Sequence, residues 1–399
     1  MLRSTDRIRT THVGSLPRNE ELHRANAERR AGSLSEEDFA PILTRAVDEV
    51  VARQREVGID TVNDGEYGHA SNGAVDYGSW WHYSFARTAG LSVDVQDPEQ
   101  VPQRSEPGNL RYTTFEDRRD WTRFRDFYAT EIDTGNDPDT QFPVAVDELR
   151  YIGQDAVAAD IANLQSAAQR HGADEAYIAA LSPGSAARVG NVFYSTDEGH
   201  IRAWAEVLHE EYKAITDAGL IVQIDDPGLA EGWDQINPEP SVQDYLTFQQ
   251  IRVDALNSAL EGIPAEQVRF HLCWGSWHGP HTTDLEFKDI VGLMLEIQAG
   301  AYTFEAANAR HAHEWTVWED VELPTGKLII PGCVSHSTNV VEHPELVAQR
   351  IERFAGLVGK ENVIASTDCG LGGRIHPDIA WAKLAALTEG ARIASQRLY

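Results

Sequence analysis

Residues 268–275 read Val-Arg-Phe-His-Leu-Cys-Trp-Gly. The run predicts a strand from Val268 to Trp274, in which residues two apart share a face. His271 and Cys273 can therefore grip one metal ion while Leu272 points the other way. Two more donors follow at a distance: Glu305 in Tyr302-Thr-Phe-Glu-Ala-Ala-Asn308 and Cys369 in Ser366-Thr-Asp-Cys-Gly370, each on a later strand of its own. Together they form a dispersed set of four candidate zinc ligands, and a thiolate-rich zinc site is a means of activating thiols.

Outward from this stretch, strand-like and helix-like segments alternate over most of the chain, the pattern of a parallel sheet. Strands are expected at residues 11–15, 61–66, 176–181, 221–225, 268–274, 302–306, 327–331 and 363–368. Eight strands with helices between them favour a closed barrel over an open sheet. The clearest helix runs from Pro344 to Val358, with Pro344 in its first turn and Val347, Ile351, Phe354 and Val358 at helical spacing. Ser35 and Asp38 resemble a capping box that opens a helix ending near Glu56. The rhythm breaks from about Gly68 to Gly153, a stretch rich in aromatic residues, Pro, Asp and Arg. It reads as one long insertion between strands two and three, a cover for the barrel in preference to a direct substrate contact. Residues 1–399 are otherwise expected to form a single barrel domain.

The 42% hydrophobic and 24% charged composition is that of a soluble globular protein, and no apolar run approaches the roughly 20 residues that span a bilayer. A formal charge of −29 at pH 7 argues against nucleic acid or an anionic membrane as a partner. It also disfavours polyanionic substrates that lack a local basic pocket. The three cysteines, Cys273, Cys333 and Cys369, are too few and too odd in number for a disulfide framework, and read as free or metal-bound in a reducing compartment. The N-terminal segment Met1-Leu-Arg-Ser-Thr-Asp-Arg-Ile-Arg9 has charge but no apolar core. No secretory signal is expected, and the location expected is cytoplasmic.

In a barrel of parallel strands the C-terminal strand ends line the active site. The unusual polar groups fall there: Glu66 after strand two, Asp225 and Asp226 after strand four, His271 and Cys273 after strand five, Glu305 after strand six and Cys369 after strand eight. Buried acids and thiols are costly unless they bind a ligand, a metal or one another. A resemblance attaches to these residues and runs from Thr10-Thr-His-Val-Gly-Ser-Leu-Pro-Arg18 to Trp381-Ala-Lys-Leu-Ala-Ala-Leu-Thr-Glu-Gly-Ala391. It is carried by His271-Leu-Cys-Trp-Gly275, Phe304-Glu-Ala-Ala-Asn308, Arg310-His-Ala-His-Glu-Trp315, Asn339-Val-Val-Glu-His-Pro-Glu345 and Thr367-Asp-Cys-Gly-Leu-Gly372. These motifs resemble the catalytic barrel of cobalamin-independent methionine synthase and, more narrowly, its single-barrel relatives, which include epoxyalkane:coenzyme M transferase.

The resemblance implies a (β/α)8 TIM barrel and zinc held by His271, Cys273, Glu305 and Cys369. It implies a thiol substrate held by Gly14, Ser15, Glu66 and Asp225. Backbone amides and a hydroxyl can take a carboxylate, and two acids can take an ammonium, so these positions favour an amino-acid thiol such as homocysteine. Asp226 stands where the family's usual motif carries Glu. Zinc lowers the pKa of a bound thiol, and Glu305 is the exchangeable ligand expected. The leaving group of the alkyl donor needs a proton, for which Asp225, Asp226 and His278 are the candidates.

The function expected is zinc-dependent methyl transfer from a methyltetrahydrofolate-type donor to homocysteine or a related thiol. The alternative is addition of a thiol to an epoxide, in the manner of epoxyalkane:coenzyme M transferase, and a third reading is a non-catalytic zinc protein. Zn2+ is the cofactor expected, the partners are the small thiol and the alkyl donor, and a homo-oligomer is left open. Trp274 and Trp277 could stack on a pterin ring but read as packing, and Cys333 reads as a small buried residue. Arg18, Arg310 and Arg374 are candidates for holding a carboxylate or sulfonate.

Overall fold

Nearly every residue of eight short strands is buried, as parallel strands with helices outside and a filled interior require. In the computed structural model, which describes residues 1–69, 79–95, 101–130 and 142–399, these strands are β1 (Arg9–Thr10), β2 (Thr61–Val62), β3 (Glu175–Leu181), β4 (Ile221–Asp225), β5 (Val268–Leu272), β6 (Ala301–Phe304), β7 (Leu328–Val334) and β8 (Ile364–Thr367). They pair in parallel in the order β1-β8-β7-β6-β5-β4-β3-β2. Hydrogen bonds join the two outer strands of that order. The Asp60 amide donates to the Thr10 carbonyl at 3.1 Å, and the Thr11 hydroxyl to the Thr61 carbonyl at 3.0 Å. With helices between successive strands, the sheet closes into the (β/α)8 TIM barrel expected from the sequence.

Alternation along β5 points Arg269, His271 and then Cys273 to the barrel interior, while Phe270 and Leu272 join the hydrophobic layer under the helices. Arg269 is 1% exposed and fills the barrel centre. Its guanidinium donates to Thr11 Oγ1 at 3.1 Å and to the His12 carbonyl at 2.7 Å, and lies 4.0 Å from the Tyr177 ring centroid. This packed floor leaves the strand C-termini above it as the place for a site.

Both helices predicted most clearly are present. The Ser35 hydroxyl accepts from the Asp38 amide at 3.1 Å and opens the helix Glu36–Glu56. Pro344 begins the helix Pro344–Val358, whose Val347, Ile351 and Phe354 are buried. Strand limits differ from expectation at the barrel mouth. β1 and β2 end early, and the residues that follow form turns, with φ of 149° at Gly14, 72° at Gly65 and 59° at Glu66. β7 instead passes through Pro331 to Val334, with a register shift against β8 between Gly332 and Val334. Proline forfeits one ladder hydrogen bond, but its fixed φ is compatible with an extended strand.

Between β2 and the helix Gln154–Arg170 lies the expected insertion, of which residues 70–78, 96–100 and 131–141 fall outside the described residues. It contributes the helix Ser79–Ala86, the helices Arg119–Arg123 and Arg125–Thr130, and a strand Thr88–Ser92 antiparallel to Val144–Tyr151. Buried Arg87 ties it to the barrel helices through Asp160 at 2.5 Å and Glu211 at 2.9 Å. The Asp120 amide donates to Asp234 at 3.0 Å and the Thr113 amide to the Gln235 carbonyl at 2.8 Å, which docks the segment over the loop after β4. Among the described residues no helix is long and apolar enough to cross a membrane.

Candidate functional site

β5 delivers His271 and, just past its end, Cys273, while the loop after β8 delivers Cys369. The donor atoms of these three buried residues lie within 4.8 Å of one another. Both ring nitrogens of His271 are buried without a conventional hydrogen-bond partner, the imidazole lying against the Cys369 thiol. Such an arrangement is costly unless another group takes a nitrogen lone pair. Two sulfurs and an imidazole are a donor set suited to zinc, so the residues fit the ion the sequence implies. The neighbouring Cys273 thiol and, beyond it, the Arg374 cation hold Cys369 well below the usual thiol range against the effect of burial. The same contact, with burial, pushes Cys273 well above it.

Glu305, in the loop after β6, stands beside this triad. Its carboxylate accepts from the Trp274 amide at 2.9 Å and from Asn308 Nδ2 at 2.6 Å. It groups with His336 and Asp368, whose donor atoms are again within 4.8 Å of one another. Burial pushes the Glu305 carboxyl up to about 8, against the pull of nearby His311. Asp368 is fully engaged: it accepts from the amides of Ala306, Ala307 and Asn308 at 2.7, 2.8 and 2.7 Å and thereby shapes the loop that carries Glu305.

Glu66 and Asp225 form a second acidic pair at the mouth. A Cβ on Gly14 would meet Glu66 Oε1 at 2.0 Å, so glycine there is what leaves room for the carboxylate. Arg18 donates to the Glu66 carbonyl at 2.7 Å, and Gln223 Nε2 holds Asp225 Oδ1 at 2.7 Å. Burial, then Asp64, pushes Glu66 up to about 7; burial, then Glu66, pushes Asp225 well above the carboxylate range. One cavity is lined by Ser15, Glu66, Asp225, His271, Cys273 and Cys369 together. Arg374 also faces it, with Nη1 3.4 Å from Ser15 Oγ.

The other expected residues are placed elsewhere. Asp226 follows Asp225 directly and turns to the opposite side, where its carboxylate accepts from Ser185 Oγ at 2.7 Å. His278 lines a separate depression with His281, Glu305, His311 and His336, and its Nε2 lies 3.1 Å from the His336 carbonyl. Trp274 is packing, stacked on His311 at 3.9 Å with its indole N–H on the Leu285 carbonyl at 2.7 Å. Trp277 faces the cavity instead. Cys333 is wholly buried on β7, and burial pushes it up to about 12. Arg310 is exposed.

Sequence reasoning passed over His336, a buried residue two positions beyond β7 whose Nδ1 has no partner. It also favoured a cover over direct substrate contact for the insertion. Trp80, Trp81, Phe115, Trp121 and Phe142 of that segment form a wall of the cavity.

Fold and mouth together define a TIM-barrel enzyme with sulfur, imidazole and carboxylate donors at its strand C-termini. The chain belongs to the family of the cobalamin-independent synthase catalytic domain, whose profile matches residues 8–77 and 194–392. It is 23% identical over 393 residues to a methionine synthase of Thermococcus kodakarensis, covering 98% of this chain and 94% of that one. It is 24% identical over 237 residues to 2-hydroxypropyl-CoM lyase of Xanthobacter autotrophicus, covering 52% of this chain and 58% of that one. The solved B12-independent methionine synthase of Shewanella sp. W3-18-1, in complex with selenomethionine, shares the fold, with a TM-score of 0.70 at 18% identity over 98% of this chain and 99% of that one. Family membership places the chain among methionine synthase-like and related thiol alkyltransferases.

Proposed function

We propose that the chain is a zinc-dependent S-methyltransferase acting on homocysteine or a related amino-acid thiol, with a methyltetrahydrofolate-type donor. The observation that carries this reading is one cavity shared by the His271, Cys273 and Cys369 cluster and the acids Glu66 and Asp225. When bound, zinc supplies a Lewis acid that keeps a substrate sulfur as thiolate at neutral pH. His271, Cys273 and Cys369 are its ligands. Glu305, which has alternative partners in Asn308 and the Trp274 amide, is the ligand that exchanges.

Glu66 and Asp225 take the substrate ammonium. Asp225 is raised by burial and by Glu66, and a cation placed between the two acids relieves it. Gly14 makes space for the first acid, and Ser15 with Arg374 receives the carboxylate. Of the three acids considered for the leaving group, Asp225 faces the cavity and is the proton carrier of choice. Asp226, through Ser185, braces the loop that carries it, and His278 serves the depression behind Glu305. Barrel and insertion act as one catalytic unit over residues 1–399, and a reducing cytoplasmic setting suits the free thiols it needs.

A second reading, addition of a thiol to an epoxide, is favoured by Arg374, whose guanidinium suits a sulfonate as well as a carboxylate. Calorimetric titration of zinc-loaded protein with homocysteine and with coenzyme M, repeated on Glu66→Gln, decides between them. Homocysteine should bind at least about tenfold tighter and lose that advantage in the variant. Equal affinities in the unaltered protein would remove the argument for an amino-acid thiol.

A further inference from the structure

The family profile passes over residues 78–193. The barrel side of the cavity, with Ser15, Glu66, Asp225, His271, Cys273 and Cys369, lies within the match, whereas the wall of Trp80, Trp81, Phe115, Trp121 and Phe142 lies in the gap. The part of the cavity beside the sulfur site thus lies within the family match, and the part facing it lies outside it. The wall is a contiguous aromatic surface: the Trp81 ring is 5.6 Å from Trp80, 5.1 Å from Phe142 and 6.5 Å from Phe115 between centroids.

Charge on that side is internally satisfied. The charged groups lining it are Arg118 and Glu231, which pair with one another, and Arg188 reaches Glu231 at 3.2 Å. The Arg118 guanidinium also lies 4.4 Å from the Phe115 centroid and 4.8 Å from that of Trp277. In sequence, residues 70–78, 96–100 and 131–141 of the same segment contain acids but no Lys or Arg. The cavity is lined by Glu66, Asp225 and Glu231 against Arg118 and Arg374, in a chain of net charge −29, so it offers a polyanionic tail no excess of cations.

We propose that this wall receives the alkyl carrier and selects a flat, uncharged aromatic or heteroaromatic ring without an anionic tail. The proposal rests on the thiol-alkylation reading above and assigns the choice of donor to the insertion. Faces of Trp and Phe stack on flat rings and add nothing for a charged tail. In the step served, the acceptor sulfur has already lost its proton to solvent and attacks the alkyl carbon. The sulfur–carbon bond forms as the bond from that carbon to a ring heteroatom breaks. The electron pair stays on the heteroatom, which takes up a proton.

Calorimetric titration of the zinc-loaded full chain with 5-methyltetrahydropterin, a ring without a tail, and with the triglutamate of 5-methyltetrahydrofolate tests this. The ring alone should bind at least as tightly as the triglutamate, and lose about tenfold in Trp80→Leu and in Phe142→Leu, two partly exposed wall positions. A clear advantage for the triglutamate, or no binding of the ring, overturns the proposal. Titration of homocysteine on the same samples separates the two claims. Homocysteine bound normally while the ring fails sinks the carrier proposal alone, whereas failure of homocysteine on the unaltered protein sinks the reading beneath it.

Discussion

At the scale of single residues, the account turns on Cys273 and Cys369. Cys273→Ser and Cys369→Ser should each lose bound zinc and activity together, because a hydroxyl is a poor replacement for a thiolate ligand. Elemental analysis checks it, and stoichiometric zinc in both variants would contradict the ligand assignment. Glu66 makes a pH prediction. Burial raises its carboxyl to about 7, so below that pH the acid is neutral and a poor partner for an ammonium. Homocysteine affinity should therefore climb with pH through about 7 more steeply in the unaltered protein than in Glu66→Gln, where only the climb due to thiol ionisation remains. Equal climbs in the two proteins would contradict the role. The donor residues were legible because thiols and acids are rarely placed in barrel interiors without a purpose. The facing of Asp226, which the sequence reading counted among the candidate acids, was missed, although alternation along the strand turns it away from the cavity that Asp225 faces.

At the scale of elements, the caps carry clear sequence signals. Ser35→Ala removes the acceptor for the Asp38 amide and should cost about 1 kcal/mol of stability, read by denaturant unfolding with zinc content unchanged. Phe304, 1% exposed, packs on Phe287 at 4.9 Å and Trp318 at 5.7 Å behind the strand that leads to Glu305. Phe304→Ala should cost about 3–5 kcal/mol, and an unchanged melting temperature would argue against the packing described. Seven of the eight barrel strands overlap the ranges expected from the sequence, whereas β1, at Arg9–Thr10, lies just before the expected 11–15. Pro331 looks like a terminator, yet β7 continues to Val334, and this is what hid His336 at the next strand end. β1 and β2 end at Thr10 and Val62, and the positive φ of Gly14, Gly65 and Glu66 in the loops that follow is something apolar patterning does not report.

At the scale of the whole molecule, alternation of strands and helices was enough to predict a barrel, whereas the use of the insertion was not. Its aromatic content fits a cover and a substrate wall equally well; only the long-range docking of residues 113 and 120 onto residues 234 and 235 puts its rings at the cavity. Zinc that binds the folded chain alone stabilises it by mass action, so a chelator should lower the melting temperature, an effect absent in Cys369→Ser. The most direct test of the central claim is titration of homocysteine into zinc-loaded and zinc-free protein, in two buffers of different ionisation enthalpy so that protons are counted. The account predicts binding with release of about one proton per thiol, and only when zinc is present. Binding without proton release, or binding unaffected by removal of zinc, would contradict it.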